Sequence, residues 1–197
     1  MQTSSTTWTI LDSAHAALRS AVAGVNAADW SRPTPCEAWT VAQVLQHAAG
    51  DQQAYAATLG EGSFPSYDPF APSGALDGDA LELIEPPLAA ASLAFSRIAA
   101  DDPAVAVPLP QGPLTAAVAV GAAALDAGVH AWDIAVATGQ PSPIDDELAT
   151  RLHAVALVIV EPLRGFAYAD ALRGDDAGAL GTLLRYLGRD PLWAPSL

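Results

Sequence analysis

The chain has 197 residues, of which 51% are hydrophobic, so it is long and apolar enough to bury the core of one domain spanning residues 1–197. Its formal net charge of −14, from 22 acidic and 8 basic residues, repels phosphate backbones and anionic lipid surfaces, so we expect neither nucleic acid nor a membrane as a partner. Cys36 is the only cysteine, which excludes an intramolecular disulfide and a cysteine-based zinc site. Residues 1–5 lack the basic and apolar regions of a signal peptide, and we expect a cytoplasmic protein.

Helix-like spacing of apolar residues dominates the chain. Thr40 and Gln43 form a capping-box pattern that begins the second helix, Pro86 and Pro87 predict a break in the third, and Pro162 predicts the end or a kink of the fifth. In the first half of the chain we predict a helix over 6–25, a loop over 29–39, a helix over 40–59 and a long surface loop over 60–79. Helical pieces over 80–85 and 88–100 follow, and then a short strand or extended link over 104–109. The last three predicted helices cover 113–139, a stretch that follows residue 146 and runs to about 166, and 177–187.

These elements predict an all-α fold, an up-and-down four-helix bundle with short extra helices and either one short strand or an extended link. Residues 114–125 of the fourth helix carry no charge, yet this run is too short to span a bilayer before Asp126. We therefore expect the fourth helix to lie in the core of the bundle.

Asp126 and His130 are the most informative residues of the chain. Their spacing of four places both side chains on one face of the apolar fourth helix, where buried polar groups must be paired, hydrogen-bonded or metal-bound. His47 lies on an apolar-patterned stretch of the second helix. Two histidines and one carboxylate from two helices would make a three-ligand metal site with open positions. The same residues also fit a histidine hydrogen-bonded in the core and a charge-assisted hydrogen bond along one helix.

Two further carboxylates share faces with these residues: Asp51 lies four residues after His47, and Asp133 lies seven after Asp126. Either could be a ligand or could fix an imidazole tautomer from outside the ligand set. For Asp51 we favour a solvated helix residue, and for Asp133 a structural acceptor, for example to an arginine, is an equal alternative. We expect His15 and His153 to be surface or packing residues. We expect packing roles for Cys36, Trp39 and Trp132, although either tryptophan could wall a pocket.

Three stretches of sequence carry a family resemblance. Residues 34–41 read Thr-Pro-Cys-Glu-Ala-Trp-Thr-Val and are followed by His-Ala-Ala-Gly at 47–50; residues 129–139 read Val-His-Ala-Trp-Asp-Ile-Ala-Val-Ala-Thr-Gly; and residues 187–193 read Leu-Gly-Arg-Asp-Pro-Leu-Trp. In order and separation these stretches resemble the signatures of actinobacterial DinB-like metal-binding proteins, and in particular the metal-binding domain of mycothiol-dependent maleylpyruvate isomerase.

The resemblance implies a four-helix bundle that binds a divalent metal, zinc first and nickel second, through His47, Asp126 and His130. It also implies mycothiol or another low-molecular-weight thiol as co-substrate. The resembled isomerase has Glu where this chain has Asp126, and it carries a further C-terminal domain, whereas this sequence ends at Leu197. We therefore do not expect maleylpyruvate isomerisation itself.

The function that we expect is that of a metal-dependent enzyme of the mycothiol transferase or isomerase type, acting on an electrophilic small molecule. The loop over residues 60–78 could close over its site. Two alternatives remain open at this point: a non-catalytic metal- or ligand-binding protein of the same fold, and a small-molecule cyclase or hydrolase of secondary metabolism on the same scaffold. The residues do not indicate an oligomeric state.

Overall fold

The computed structural model describes residues 7–36, 39–174 and 178–195. Within these residues the chain forms six α-helices and one 3-10 turn, and it has isolated β-bridges but no strand. Val105 pairs with Leu114 in one such bridge, so the segment predicted over 104–109 is an extended link and not a strand. The elements are α1 (Thr9–Ala23), α2 (Val41–Thr58), α3 (Ala80–Ser96), α4 (Ala116–Ala137), α5 (Asp146–Ile159), the 3-10 turn (Glu161–Leu163) and α6 (Ala179–Tyr186).

The first four helices form the bundle. α4 packs against α1 and α2, and α3 packs against the same two helices, which closes a ring in the order α1, α4, α2, α3. α5 packs on the outside of α4 and α1, and α6 packs on α5. The prediction of an all-helical fold built on a four-helix bundle is confirmed.

α4 is the central helix, because every residue from Ala119 to Ala135 is buried. The helix is long and apolar enough to cross a membrane, yet 89% of its most apolar stretch is buried inside the protein. A helix that is apolar on all sides is the expected core helix of a globular protein. Asp126 and His130 are therefore held in the interior by the packing of their neighbours.

α3 runs without interruption through Pro86 and Pro87, so the prediction of two helical pieces is wrong. Neither proline has an N–H, and the carbonyl groups four residues earlier lose their helical partners. Glu82 and Pro86 are exposed, so a carbonyl freed on that side faces solvent. On the opposite side Ile84 and Leu88 are fully buried, and their packing keeps the segment helical through the two prolines.

The later helices are shorter than predicted. α5 ends at Ile159, just before Pro162, and the chain then makes the 3-10 turn instead of continuing as a helix to 166. Pro162 was expected to end or kink this helix, and the helix ends before it. The predicted starts of the first and last helices, Thr6 and Ala177, lie outside the described residues, as do residues 1–5.

Two glycines let α5 approach α4 closely. A Cβ added at Gly128 would lie 2.8 Å from Leu152 Cδ1, and one added at Gly121 would overlap Val155. The two glycines are two helical turns apart and therefore lie on one face of α4. The opposite face of α4 is left to face the interior of the bundle and the polar cluster described next.

Candidate metal centre

The α2 helix presents His47 to the bundle interior from a well-defined start. The Thr40 side chain accepts a hydrogen bond from the Gln43 backbone N–H, and the Gln43 side chain accepts one from the Thr40 N–H at 2.9 Å, which is a capping box. This motif satisfies two of the backbone donors that a helix start leaves unpaired. The capping prediction is confirmed, and it fixes the position of His47 two turns into the helix.

The structure brings His47, Asp126 and His130 together. Nε2 of each histidine lies 3.5 Å from Asp126 Oδ1, and one potential ligand atom from each of the three residues lies within 4.8 Å of the others. All three residues are buried, with 5% of His47, 8% of Asp126 and 5% of His130 exposed. Among the described residues this is the cluster of histidine and acidic side chains that is arranged to hold a metal ion.

The other ring nitrogen of each histidine is already engaged. His47 Nδ1 lies 2.9 Å from the carbonyl oxygen of Pro69, and His130 Nδ1 lies 2.9 Å from Asp133 Oδ2. Both partners only accept, so Nδ1 must donate in each case, and a neutral ring then has a lone pair on Nε2. The two Nε2 atoms and Asp126 Oδ1 are therefore three acceptors that face one another, which is the arrangement a cation satisfies.

The charges around this cluster perturb its protonation. Burial opposes a charged His47 ring, but its hydrogen bond to Asp126 and the charges of Asp51 and Asp126 outweigh that effect and raise the pKa of His47 to about 9. Burial, together with repulsion from Asp126, raises the pKa of Asp51 to about 7. Although burial favours its neutral form, His47 and His130 lower the pKa of Asp126. Without a cation, a proton on His47 therefore compensates the Asp126 charge near neutral pH.

Asp51 lies at the edge of the cluster. Its Oδ2 is 3.8 Å from His47 Nε2, and its side chain is 21% exposed. It is therefore not the fully solvated helix residue that we favoured from the sequence. Its carboxylate faces the same space as the three clustered atoms, at a distance at which it can hold a proton or a water molecule next to them.

Asp133 joins His130 to the C-terminal segment. Besides accepting from His130, it makes a two-pronged ion pair with Arg189, in which Arg189 Nε and Nη2 donate at 2.9 and 2.8 Å. Asp133 is fully buried and Arg189 is 8% exposed. Although burial favours the neutral acid, Arg189 and His130 lower the pKa of Asp133 to about 2. Asp133 is therefore ionised at neutral pH and holds the His130 ring in a fixed orientation.

A buried chain of hydrogen bonds reaches the other carboxylate oxygen of Asp126, Oδ2. The Gln52 side-chain amide donates to Ala123 O at 2.9 Å and lies 3.5 Å from Asp126 Oδ2, while Gln52 Oε1 accepts from His15 Nε2 at 2.9 Å. His15 Nδ1 then accepts from the Ser92 hydroxyl at 3.2 Å. This chain crosses the bundle interior and fixes the Gln52 amide with its N–H groups toward Asp126.

Aromatic rings and the 60–79 loop cover the cluster. The Trp39 ring centroid lies 4.5 Å from that of His47, and Phe70 packs edge-on against His47 at 5.3 Å. The loop is fastened to α2, since Tyr67 donates to Gln46 O at 2.7 Å and the Gln46 side chain bonds both Gly74 N–H and Ala75 O at 2.7 Å. The loop thus lies over the site already, and Trp39 forms one wall.

Comparison with known proteins identifies the family to which this arrangement belongs. The sequence profile of the mycothiol maleylpyruvate isomerase N-terminal domain matches residues 11–135. The chain belongs to this family. The mycothiol maleylpyruvate isomerase N-terminal domain family is mycothiol-related, DinB-like and metal-binding, and its match includes the clustered histidines and both Asp126 and Asp133.

Relatives of the same family occur in Mycobacterium tuberculosis. The uncharacterized proteins Rv0738 (strain ATCC 25618 / H37Rv) and MT0763 (strain CDC 1551 / Oshkosh) are each 32% identical to this chain over 142 residues, which covers 72% of this chain and 72% of the relative. No solved structure gives a significant match. The family and the cluster together indicate a divalent metal site.

Sequence reasoning missed three members of the polar network. His15 was assigned to the surface or to packing, and Gln52 and Arg189 were not singled out. Gln52 is five residues after His47, and no spacing rule connects it to Asp126 on another helix. Arg189 lies in the stretch at 187–193 that carries the family resemblance, and that resemblance was the signal by which Arg189 could have been identified.

The remaining noteworthy side chains lie away from the cluster or at its border. Trp132 is buried in the core, and His153 packs against Tyr186 with ring centroids 5.4 Å apart. Cys36 is only partly buried and packs against the core. Glu37 and Ala38 of the first signature stretch lie outside the described residues.

Proposed function

We propose that this protein binds one divalent cation, zinc in the first instance, through His47 Nε2, Asp126 and His130 Nε2. We further propose that it uses the cation, together with a low-molecular-weight thiol of the mycothiol type, to act on an electrophilic small molecule. The observation that supports this most directly is the convergence of three acceptor atoms whose histidine Nδ1 positions are already taken by Pro69 and Asp133.

The spacing of the donor atoms fits a metal of this kind. Ligands about 2.0–2.2 Å from a tetrahedral zinc ion lie roughly 3.3–3.6 Å from one another. The two distances from the histidine Nε2 atoms to Asp126 Oδ1 are 3.5 Å. Three protein ligands leave a further coordination position, as catalytic zinc sites do and closed structural sites do not.

Residues around the proposed metal site supply its other functions. A bound divalent cation supplies Lewis acidity, which acidifies a coordinating thiol and makes it nucleophilic. Asp51 Oδ2, 3.8 Å from His47 Nε2, is placed to accept the thiol proton. Asp133 and Pro69 O hold the histidine rings in the tautomer that presents Nε2. Trp39 and the overlying loop exclude bulk water from the side of the site they cover.

Metal binding is tested on protein purified without chelator. We expect about one equivalent of zinc, or full occupancy after reconstitution, and near-complete loss of tight binding in His47→Ala and His130→Ala with the helical circular dichroism retained. His153→Ala is the matched control, because His153 is a helical histidine that packs on Tyr186 away from the cluster. No zinc after reconstitution would refute the proposal.

Use of a thiol is tested on the cobalt-substituted protein. Addition of mycothiol should produce a sulfur-to-cobalt charge-transfer band, and the band should be absent in the His130→Ala variant. A protein that binds metal but gives no such band would instead be a metal-binding protein of the same fold without thiol chemistry, or a hydrolase or cyclase that activates water.

A further inference from the structure

Two phenylalanines stand exposed beside the candidate metal centre. Phe70 is 46% exposed and Phe166 is 71% exposed, and their ring centroids are 5.3 Å apart. Phe70 also packs edge-on against His47 at 5.3 Å, and His47 in turn packs against His130 at 4.8 Å. A continuous row of rings therefore leads from the buried cluster to the surface.

The backbone around Phe70 holds its ring in place. The Phe70 N–H donates to Asp68 Oδ1 at 2.9 Å, and the residue before it, Pro69, supplies the carbonyl that accepts from His47. Phe70 cannot move far without disturbing that hydrogen bond.

Phe166 stands at the tip of a short turn. Gly165, at a φ of +76°, takes the left-handed conformation that the turn requires, and its N–H donates to Tyr168 O at 2.8 Å. The Phe166 N–H donates back to Leu163 O at 3.2 Å, and Leu163 is buried. The turn therefore has a fixed base and presents the Phe166 ring to solvent, beside Phe70.

A ligand that covers both rings would remove their apolar surface from water, which is favourable. Phe64 is a similar exposed ring of the same loop, at 60%, but no ring contact joins it to the cluster. What distinguishes Phe70 and Phe166 is their continuity with His47. A planar apolar group laid against them would sit next to His47 of the metal site, and aromatic pairs favour such offset or edge-on contacts.

The charges at the site indicate which kind of molecule fits. Asp51 and Asp126 are acidic, and the buried Arg189 is committed to Asp133 by two hydrogen bonds. The bound cation would offset Asp126, but Asp51 would still oppose a carboxylate on the substrate, and Arg189 is not available to pair with one. We propose that Phe70 and Phe166 bind the planar apolar part of the substrate, and hence that the electrophile is an uncharged compound with an aryl or similarly flat group. This inference rests on the proposed metal-dependent function.

The test compares two chelators on the zinc-loaded protein by calorimetry. Benzohydroxamate and acetohydroxamate bind zinc through the same group and differ in the aryl ring, so the ratio of their affinities isolates the contribution of the rings. We expect benzohydroxamate to bind about tenfold more tightly, since each aromatic contact contributes roughly 2- to 12-fold in affinity. A 4-carboxylate on the aryl ring should reduce the affinity at least threefold.

Variants assign that preference to the two rings. Phe166→Ala should reduce the benzohydroxamate preference at least threefold and leave acetohydroxamate affinity within twofold, and Phe166→Tyr should restore the preference. Phe70→Ala should also reduce the preference at least threefold. Phe64→Ala, the exposed phenylalanine without a ring contact to His47, is the matched control and should change nothing. Because Phe166 is largely exposed, its variants should melt like the wild type.

Each outcome bears on a different statement. Equal affinities for the two chelators, or a preference that survives both alanine variants, overturns the aromatic binding surface while leaving the metal site intact. A protein that takes up no zinc overturns the proposed function and this inference together. A 4-carboxylate that strengthens binding overturns the statement that the substrate is uncharged.

Discussion

Replacing Arg189 with Met should destabilise the protein strongly, although this residue lies far along the chain from the bundle helices. The substitution keeps an apolar stem of similar length and removes the guanidinium that pairs with Asp133. Asp133 is fully buried, so its carboxylate would be left without the cation that compensates it. The residue that Asp133 supports, His130, would lose a fixed hydrogen-bond acceptor.

The size of the effect follows from the burial of the pair. Removing one partner of a buried ion pair costs about 3–5 kcal/mol of unfolding free energy, because the other charge stays buried and unpaired. The native pKa of Asp133, about 2 instead of 3.8, corresponds to stability on the order of 2 kcal/mol from its ionised state. Because this pKa is lowered on folding, that stability is present above about pH 4 and is lost as the pH falls toward 2. We also expect the zinc affinity to fall about 10–100-fold.

Urea denaturation of the metal-free protein at pH 7, with zinc titration against a competing chelator, measures both effects. Arg97→Met is the matched control: Arg97 pairs with Glu61, but its side chain is 58% exposed, so the loss should stay below about 1 kcal/mol. The double variant Asp133→Leu with Arg189→Met removes both charges and should recover most of the stability but not the zinc affinity. A loss below about 1 kcal/mol in Arg189→Met, with unchanged zinc affinity, would refute the role given to this pair.

Three further predictions concern the cluster itself. Zinc affinity should rise about tenfold between pH 7 and 8 and level off above about pH 9, because the raised pKa of His47, about 9, means that a proton must leave before the metal binds. Calorimetry in buffers of different ionisation enthalpy measures the proton released, and no release at pH 7.5 contradicts this. If Asp126 is a direct ligand, Asp126→Asn should weaken zinc binding by more than 10–100-fold, whereas Asp126→Glu should retain zinc binding. Equal zinc affinity of Asp126→Asn and the wild type would remove Asp126 from the site. Gln52→Leu should lower zinc affinity and stability together, since it leaves the buried His15 N–H unpaired at a cost of about 1–3 kcal/mol. Gln53→Leu, at a half-buried neighbour whose side chain bonds Ser63 O at the surface, should change neither, and identical behaviour of the two variants would show that the buried chain does not support Asp126.

The sequence predicted the parts of the fold that depend on periodicity and local capping. The apolar run before Asp126 predicted a buried helix, and the Thr40–Gln43 pair predicted the start of α2, because both signals are contained within a few residues. The break at Pro86 was predicted wrongly for the same reason. The local cost of the prolines is visible in the sequence, but the burial of Ile84 and Leu88 that outweighs it depends on residues far away in the chain.

The sequence likewise predicted only part of the candidate site. Spacing placed Asp126 and His130 on one helical face, the apolar pattern of the second helix offered His47 as their partner, and the family resemblance implied the same three ligands. The neighbours that set their orientation come from three separate segments: the Pro69 carbonyl, the Arg189 guanidinium and the Gln52 amide. A backbone carbonyl has no sequence signature at all. Long-range hydrogen bonds of this kind therefore become visible only once the helices are packed.

The hydrogen bond from His47 to the Pro69 carbonyl couples the covering loop to the metal thermodynamically. An accepting carbonyl at Nδ1 makes Nε2 more basic and so a stronger ligand. Coupling between two binding equilibria is reciprocal, so a cation at His47 must hold the loop down as much as the loop favours the cation. Residue 69 is followed directly by Phe70, whose ring contacts His47. Metal uptake should therefore slow amide hydrogen exchange across residues 67–75, which lie 20 to 28 residues after His47 in sequence, and protein kept free of metal should expose this loop to proteolysis first.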